Sequence, residues 1–422
     1  MRKTISALAA GAVLTLGLAT AAPVVAQPTL AGAATSASAA GQVPRTLAEY
    51  RAMLDQSGLP VDLQQRIAAS IDALPADLVE RLNRRLEQIG TERGAALNGM
   101  ARAIDPDDYA CASTPLDAYV DEILAGVNIF ALLFVQMYGG LDLPTYDAVL
   151  NGHTLPAEFD DGAANTLVRN TIRDAKKFWD IPSDDIVTVS MNSSVFDDDP
   201  ATVTRAEGVL AVMYGADPDN PAEMAEIGAI LQLIKDLIAI DPAMDGGNNP
   251  IFTLNAFAFS AADEPAGSPF AGISDRIAFG EGMFDALEAI GLGDIGVKSV
   301  LSHEFAHHVQ YERDVFGTAT GPEATRRTEL MADAMSGYFG THKRGLTLNA
   351  KRLVDVVRSF NYVGDCSFTS PGHHGTPNQR SRATEWGIDR AANRQKQGHI
   401  EPSQTVIDAF EAVLPQIVAP DA

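Results

Sequence analysis

The sequence predicts an α+β fold, mostly helical with a small mixed sheet. Apolar residues recur at helix spacing along much of the chain, two short stretches rich in Ile, Phe and Thr sit between Pro, Gly and Asp clusters, and the composition is that of an ordinary globular protein, 46% hydrophobic and 20% charged. At 422 residues the chain is long enough for one large domain and a smaller one.

The N-terminus reads as an address rather than as fold. Arg2 and Lys3 precede an apolar stretch from Ile5 to Ala22, and Val24-Val25-Ala26 offers small residues for cleavage, so residues 1–26 are expected to be a secretory signal peptide and the protein to be secreted, extracellular or in the cell envelope. Residues 27–43 are Ala, Ser, Gly and Thr with almost no large side chains, the composition of a flexible leader. From 44 to 108 the pattern is helical: Leu47, Tyr50, Met53 and Leu54, then Leu63, Ile67, Ile71 and Leu74, then Leu78, Leu82, Leu86 and Ile89, interrupted at Gly58-Leu59-Pro60 and at Pro75. This is expected to be a helical N-terminal module whose role is packing, with a prosegment as the alternative. A main domain over 109–418 is expected to follow. The chain has two cysteines, Cys111 and Cys366, and in a secreted protein an even count is expected to pair as a disulfide.

Charge excludes one class of partner. With 55 acidic against 31 basic residues, the formal net charge of −24 repels phosphate backbones, so nucleic acid is not an expected partner. No stable membrane insertion is expected after signal cleavage either. The run Ile129 to Met137 is well short of the ~20 residues a span needs and reads as a buried helix.

Within the main domain, Thr114-Pro115-Leu116-Asp117 has the makings of a helix start, with a long apolar helix expected after it. A helix near 163–179, a short strand near 186–190, an acidic turn at Asp197-Asp198-Asp199-Pro200 and a helix near 222–240 follow. The strand-like stretches are 251–259 and 276–280, and Phe252, Phe257 and Phe259 read as core. The acidic turn, with Asp184 and Asp185, lacks the spacing of a calcium loop and reads as solvated.

The chemistry centres on His303-Glu304-Phe305-Ala306-His307, in a helix that Asp294 is positioned to cap and that runs to about Arg313. Residues four apart share one helix face, so His303 and His307 can offer two imidazole nitrogens to one ion, with Glu304 beside them. Zn2+ suits two imidazoles and a carboxylate, and a catalytic site needs a third protein ligand with one position left for water. Enzymes that complete this motif with a third His place Gly and His where this chain has Gln310 and Arg313, which excludes that branch. The stretch from Pro322 supplies carboxylates on a following helix. Glu329 is assigned as the third ligand and Asp333, four residues on, as the acceptor that orients a ligand imidazole, with exchanged roles or Glu323 or Glu312 as ligand left open.

His303-Glu304-x-x-His307 followed by Glu329-Leu330-x-Ala332-Asp333 resembles the gluzincin metallopeptidases. His374-Gly375-Thr376-x-x-Gln379-Arg380 after Gly364-Asp365 resembles the bacterial neutral zinc metallopeptidase family. Asn255-Ala256-Phe257-Ala258, Ile277-Ala278-Phe279-Gly280 and Val300-Leu301-Ser302-His303 resemble the motif order of the CaaX prenyl-peptidase and heat-shock membrane peptidase family, whose transmembrane helices this chain lacks. The likeness spans about Ile251 to Trp386. It implies a zincin-like metallopeptidase domain and a zinc endopeptidase acting on peptides or proteins, with His303, His307 and Glu329 as ligands and Glu304 as general base. His308 reads as structural. Candidates to stabilise a tetrahedral oxyanion are His373, His374, Tyr311 and Tyr338, with His374 favoured. A strand beside the active helix, 253–259 or 276–280, is expected to pair with an extended substrate. Two other classes remain open at this point: a catalytically silent zincin-fold binding protein, for which a retained general base has no use, and a zinc amide hydrolase acting on cell-wall peptides.

Overall fold

Apolar residues at helix spacing near the N-terminus form two helices, α1 (Leu47–Asp55) and α2 (Val61–Ala73), in the computed structural model, which describes residues 47–73, 113–152, 159, 162–262, 264, 266–316, 322–365, 373–394 and 398–421. The expected signal peptide, the leader, residues 74–108 of the N-terminal module, and Cys111 and Cys366 lie outside the described residues. Leu54, Leu59, Ile67 and Ile71 bury their side chains in a core shared with helices further along the chain.

Helix α3 (Pro115–Ile123) begins as its sequence dictates: the Thr114 hydroxyl accepts from the Asp117 N–H, the Asp117 carboxylate accepts from the Thr114 N–H, and Pro115 fills the first position. The single long apolar helix expected next is instead two. Gly126 takes a φ of 88°, a left-handed conformation that ends α3, and the chain restarts as α4 (Ile129–Met137), with Ala131, Phe134 and Val135 buried. Helices α5 (Leu143–Asn151) and α6 (Gly162–Phe178) lead to strand β1 (Val187–Met191). The acidic turn caps a helix that periodicity did not single out: the Asp199 carboxylate accepts from the N–H groups of Ala201 and Thr202 at the start of α7 (Pro200–Tyr214). Asn220 caps α8 (Pro221–Ile240) in the same way.

Of the stretch 251–259 only β2 (Ala256–Phe259) is strand, because Pro250 and Asn249 set a 3-10 turn over Pro250–Phe252. Strand β3 (Arg276–Gly280) is central, parallel to β1 and antiparallel to β2, in the register Val189↔Ala278↔Phe257. The remaining helices are α9 (Glu281–Ala289), α10 (Gly293–Glu312), α11 (Pro322–Thr341), α12 (Ala350–Tyr362), α13 (Pro377–Arg394) and α14 (Ser403–Ile417). The outcome is a mostly helical protein with a three-stranded mixed sheet.

Two large cores flank that sheet region. One joins α1, α2, α4, α7 and α8 through Ile67, Phe134, Leu210, Ile234 and their neighbours. The other joins α6, α10, α11, α13 and α14 through Phe178, Phe305, Met335, Tyr338 and Phe410. The two faces of β3 serve different cores: Ile277 and Phe279 enter the second, while Ala278 packs with Val189, Met191, Phe257 and Phe259 under α5. All three expected core phenylalanines are buried.

The closest helix contact positions the site. A Cβ on Gly387 of α13 would overlap the Ala334 carbonyl oxygen of α11, and one on Gly337 would crowd the Thr384 carbonyl, so these two glycines let the backbones of α11 and α13 touch. No helix among the described residues is long and apolar enough to cross a membrane.

Candidate metal centre

Helix α10 carries the His-Glu-x-x-His string through the second core, and fifteen of its twenty residues are buried. Asp294 is not its cap, which is Leu292; the carboxylate sits in the first turn, where it suits the helix dipole, and pairs with Lys298 at 3.1 Å and Arg352 at 3.0 Å. Helix α11 runs antiparallel beside α10, as the pairings Ser299–Ser336, His303–Asp333 and Gln310–Thr328 establish.

That alignment gathers the expected ligands. His303 Nε2 lies 3.1 Å from His307 Nε2 and 3.1 Å from Glu329 Oε2, and His307 Nε2 lies 3.3 Å from Glu329 Oε1. Among the described residues this is the one group of ligand-type side chains close enough to share an ion. The other carboxylates considered go elsewhere: Glu323 pairs with Arg326 on its own helix, and Glu312 is exposed at the end of α10.

Partners behind the rings decide which nitrogens face the centre. Gln310 Nε2 donates to the Thr328 carbonyl at 2.7 Å, a group that only accepts, so Gln310 Oε1 must be the atom facing His307 Nδ1 at 2.8 Å. Oε1 only accepts, so the His307 ring holds a proton on Nδ1, and Nε2 is the nitrogen turned to the centre. His303 Nδ1 lies 2.8 Å from Asp333 Oδ1, in ion-pair range although not aligned as a hydrogen bond, and this carboxylate likewise draws the proton to Nδ1. Neutral rings in these tautomers would turn two bare nitrogens and a carboxylate towards one point, an arrangement that calls for a cation between them.

Each charge around the centre is balanced by another. Asp333, fully buried, receives a two-pronged grip from Arg380, Nε to Oδ2 and the terminal nitrogen to Oδ1, both 2.7 Å. Arg380 is itself buried. Its guanidinium lies 5.5 Å from the Phe360 ring centroid, and the His303 ring is also 5.5 Å from Phe360. Burial opposes ionisation of Glu329, but His307, His374 and His303 outweigh it and hold the carboxyl well below its ordinary range. Burial pushes Glu304 up against the pull of His303 and His307, which suits a proton acceptor.

A second cluster adjoins the first. Asp365 accepts from the His374 N–H at 2.8 Å and lies 3.1 Å from His374 Nδ1 and 2.7 Å from His373 Nδ1. Burial works against a His374 cation, yet Glu329 and Asp365 raise its pKa above the ordinary value. His374 is partly open while His373 is fully buried. Just after them, Thr376 and Gln379 exchange 3.2 Å bonds at the start of α13.

Tyr338 does not belong here. Its hydroxyl accepts from the Glu401 N–H, and its ring packs with Phe178 and Trp179, away from the ligands. Tyr311 stays near the centre: burial first, then the Glu304 and Asp275 charges, push its hydroxyl above its ordinary pKa, and its ring stacks on Phe316, which lies 6.1 Å from the His307 ring. His308, fully buried, has Asp275 at 3.2 Å on one nitrogen and the Arg276 carbonyl at 3.0 Å on the other, tying α10 to β3 as a structural residue would.

Of the two strands expected to meet substrate, β3 is excluded because both of its sides are paired. β2 is an edge strand packed on α10. The Gly280 N–H donates to the Asn255 carbonyl at 2.9 Å, so alternation turns the N–H and C=O groups of Ala256 and Ala258 to the open edge.

Sequence reasoning assigned no role to Gln310, Asp365 or Phe360. Gln310 had a usable signal, since it stands three residues after His307 on the same helix face. Asp365 had one in the Gly364-Asp365 pair that precedes His374 in the quoted motif, whereas Phe360 arrives from another element and had none. Comparison of the chain with protein-family models, with curated proteins and with solved structures found no match.

Proposed function

We propose that this protein is a secreted zinc metalloendopeptidase of the gluzincin type, hydrolysing peptide bonds in peptide or protein substrates. The observation that carries the proposal is the meeting of His303 Nε2, His307 Nε2 and Glu329 within 3.3 Å of one another, with Glu304 buried on the same helix. Two imidazoles and one carboxylate match the donor preference of zinc, and three protein ligands are the number a catalytic site uses. Bound there, zinc supplies a Lewis acid that polarises a carbonyl and brings the pKa of water towards neutrality.

The chain's own groups supply the rest. Glu304, its pKa raised by burial, takes a proton from the attacking water and passes it to the leaving amine. His374 is held at Nδ1 by Asp365, and its raised pKa favours the doubly protonated ring, which leaves an Nε2–H to donate to an oxyanion. The open edge of β2 offers Ala256 and Ala258 to the backbone of an extended substrate, which selects chain conformation more than sequence. A closed structural site would have no use for Glu304, and this favours catalysis over a silent binding role.

Metal analysis of the purified protein with cleavage of an unstructured protein such as casein tests the reading. The expected result is about one equivalent of zinc and chelator-sensitive cleavage. Glu304→Gln is expected to lower cleavage by about 10²–10⁴-fold while zinc content is kept; full activity in that variant sinks the mechanism.

A further inference from the structure

Of the groups around the ligands, Gln310 is the one whose two contacts leave no freedom of assignment. It is fully buried, stands one turn beyond His307 on α10, and bridges that ring to the backbone of α11 through the 2.8 Å and 2.7 Å bonds described above. A carboxylate in this place would repel the Thr328 carbonyl, and a shorter amide would not reach both helices. An apolar side chain would leave His307 Nδ1 and the Thr328 carbonyl without the amide that now satisfies them.

We propose that Gln310 is a positioning residue that fixes His307 in the Nδ1–H tautomer and in the rotation that turns Nε2 to Glu329 and His303, and that it thereby sets the affinity of the centre for a divalent metal. The proposal rests on the reading of His303, His307 and Glu329 as metal ligands. Its geometric content does not, because the tautomer is a property of the metal-free chain. The bridge also explains how ligands from two helices keep one register: the amide that orients a ligand of α10 is tied to Thr328, the residue next to the ligand Glu329 of α11.

Two measurements test it. Nitrogen-15 NMR of histidine-labelled, metal-free protein reads the His307 tautomer directly; Nδ1 protonation is expected, and an Nε2–H tautomer in the wild-type protein overturns the proposal whether or not any variant folds. Competition of Zn2+ against a chromogenic chelator then compares the wild type with Gln310→Met and Gln310→Glu. Gln310→Met removes both bonds and is expected to weaken Zn2+ binding about 10–100-fold. Gln310→Glu keeps the acceptor for Nδ1–H and loses the bond to Thr328; it is expected to retain the tautomer and most of the affinity while unfolding at lower urea. Zn2+ binding by a folded Gln310→Met within about twofold of the wild type overturns the proposal. Failure of the wild type itself to bind Zn2+ or Co2+ sinks the metal reading and with it the affinity claim, whereas the NMR result still decides the tautomer.

Discussion

Helices α8 and α10 are each twenty residues long and each crosses the middle of a core, but they are buried on different terms. The buried residues of α8 are seven, all Ile or Leu. Those of α10 are fifteen, and they include Ser299, Ser302, His303, Glu304, His307, His308 and Gln310. Removal of apolar surface from water is non-directional, so α8 is held by any neighbour that covers its Ile and Leu side chains. A buried ring or carboxylate is tolerated only opposite a particular partner. For α10 those partners are Glu329 and Asp333 on α11, the latter gripped in turn by Arg380 on α13, and Asp275 beside β3. One helix is placed by amount of contact and the other by identity of contact.

Breaking one partnership around α10 is expected to have the largest effect on stability. Arg380→Met leaves the Asp333 carboxylate buried without its cation, and a loss of about 3–5 kcal/mol in urea unfolding is expected. The double change Asp333→Leu with Arg380→Met is expected to restore much of that stability while Zn2+ binding stays weak, since the His303 ring then lacks its orienting acceptor. A single-variant loss below about 1 kcal/mol would mean that the pair is not what seats α10.

The matching change in the other helix is Ile230→Ala, at a fully buried position of α8. A loss of about 2–5 kcal/mol is expected from transfer and cavity together. Zn2+ stoichiometry should be unchanged, and metal loss in this variant would show that the two cores are not energetically separate.

A smaller effect separates the two helices by pH. In the metal-free protein burial disfavours a charged His303, but Asp333 and Glu329 outweigh burial and raise its pKa from 6.5 to about 10. A pKa raised on folding contributes stability that is complete below about 6.5 and is lost as pH climbs through about 10. The melting temperature of metal-free protein should therefore fall over that window, more steeply than that of His303→Gln. Equal slopes would show that the ring is not charged between Asp333 and Glu329. Zinc uptake at neutral pH should release a proton by the same logic, detectable by calorimetry in buffers of unlike ionisation enthalpy.

Several elements were legible in the residues alone. α4 was bounded at Ile129 and Met137 by its apolar run, and β3 at Arg276 and Gly280 by the Pro, Gly and Asp clusters around it. These signals are local, and local chemistry decides them. Gly126 misled the reading because hydrophobic spacing continues past it, and α7 was missed because its periodicity did not set it apart. α10 is legible for a different reason: its motif is a pattern of ligands, while its burial on all sides leaves no polar face from which periodicity could orient it.

The sequence by itself determined that His303 and His307 are able to share a metal, because imidazoles one turn apart lie on one face of a helix. It also determined the helical character of most of the chain. Only the tertiary structure decided that Glu329 rather than Glu312 or Glu323 closes the group, that Arg380 faces inward, that Tyr338 faces away and that β2 is the open edge. Those outcomes depend on how far α10, α11, α13 and β3 lie from one another. That distance is set by backbone contacts such as Gly387 on Ala334, made by residues far apart in the chain whose meeting no local pattern records.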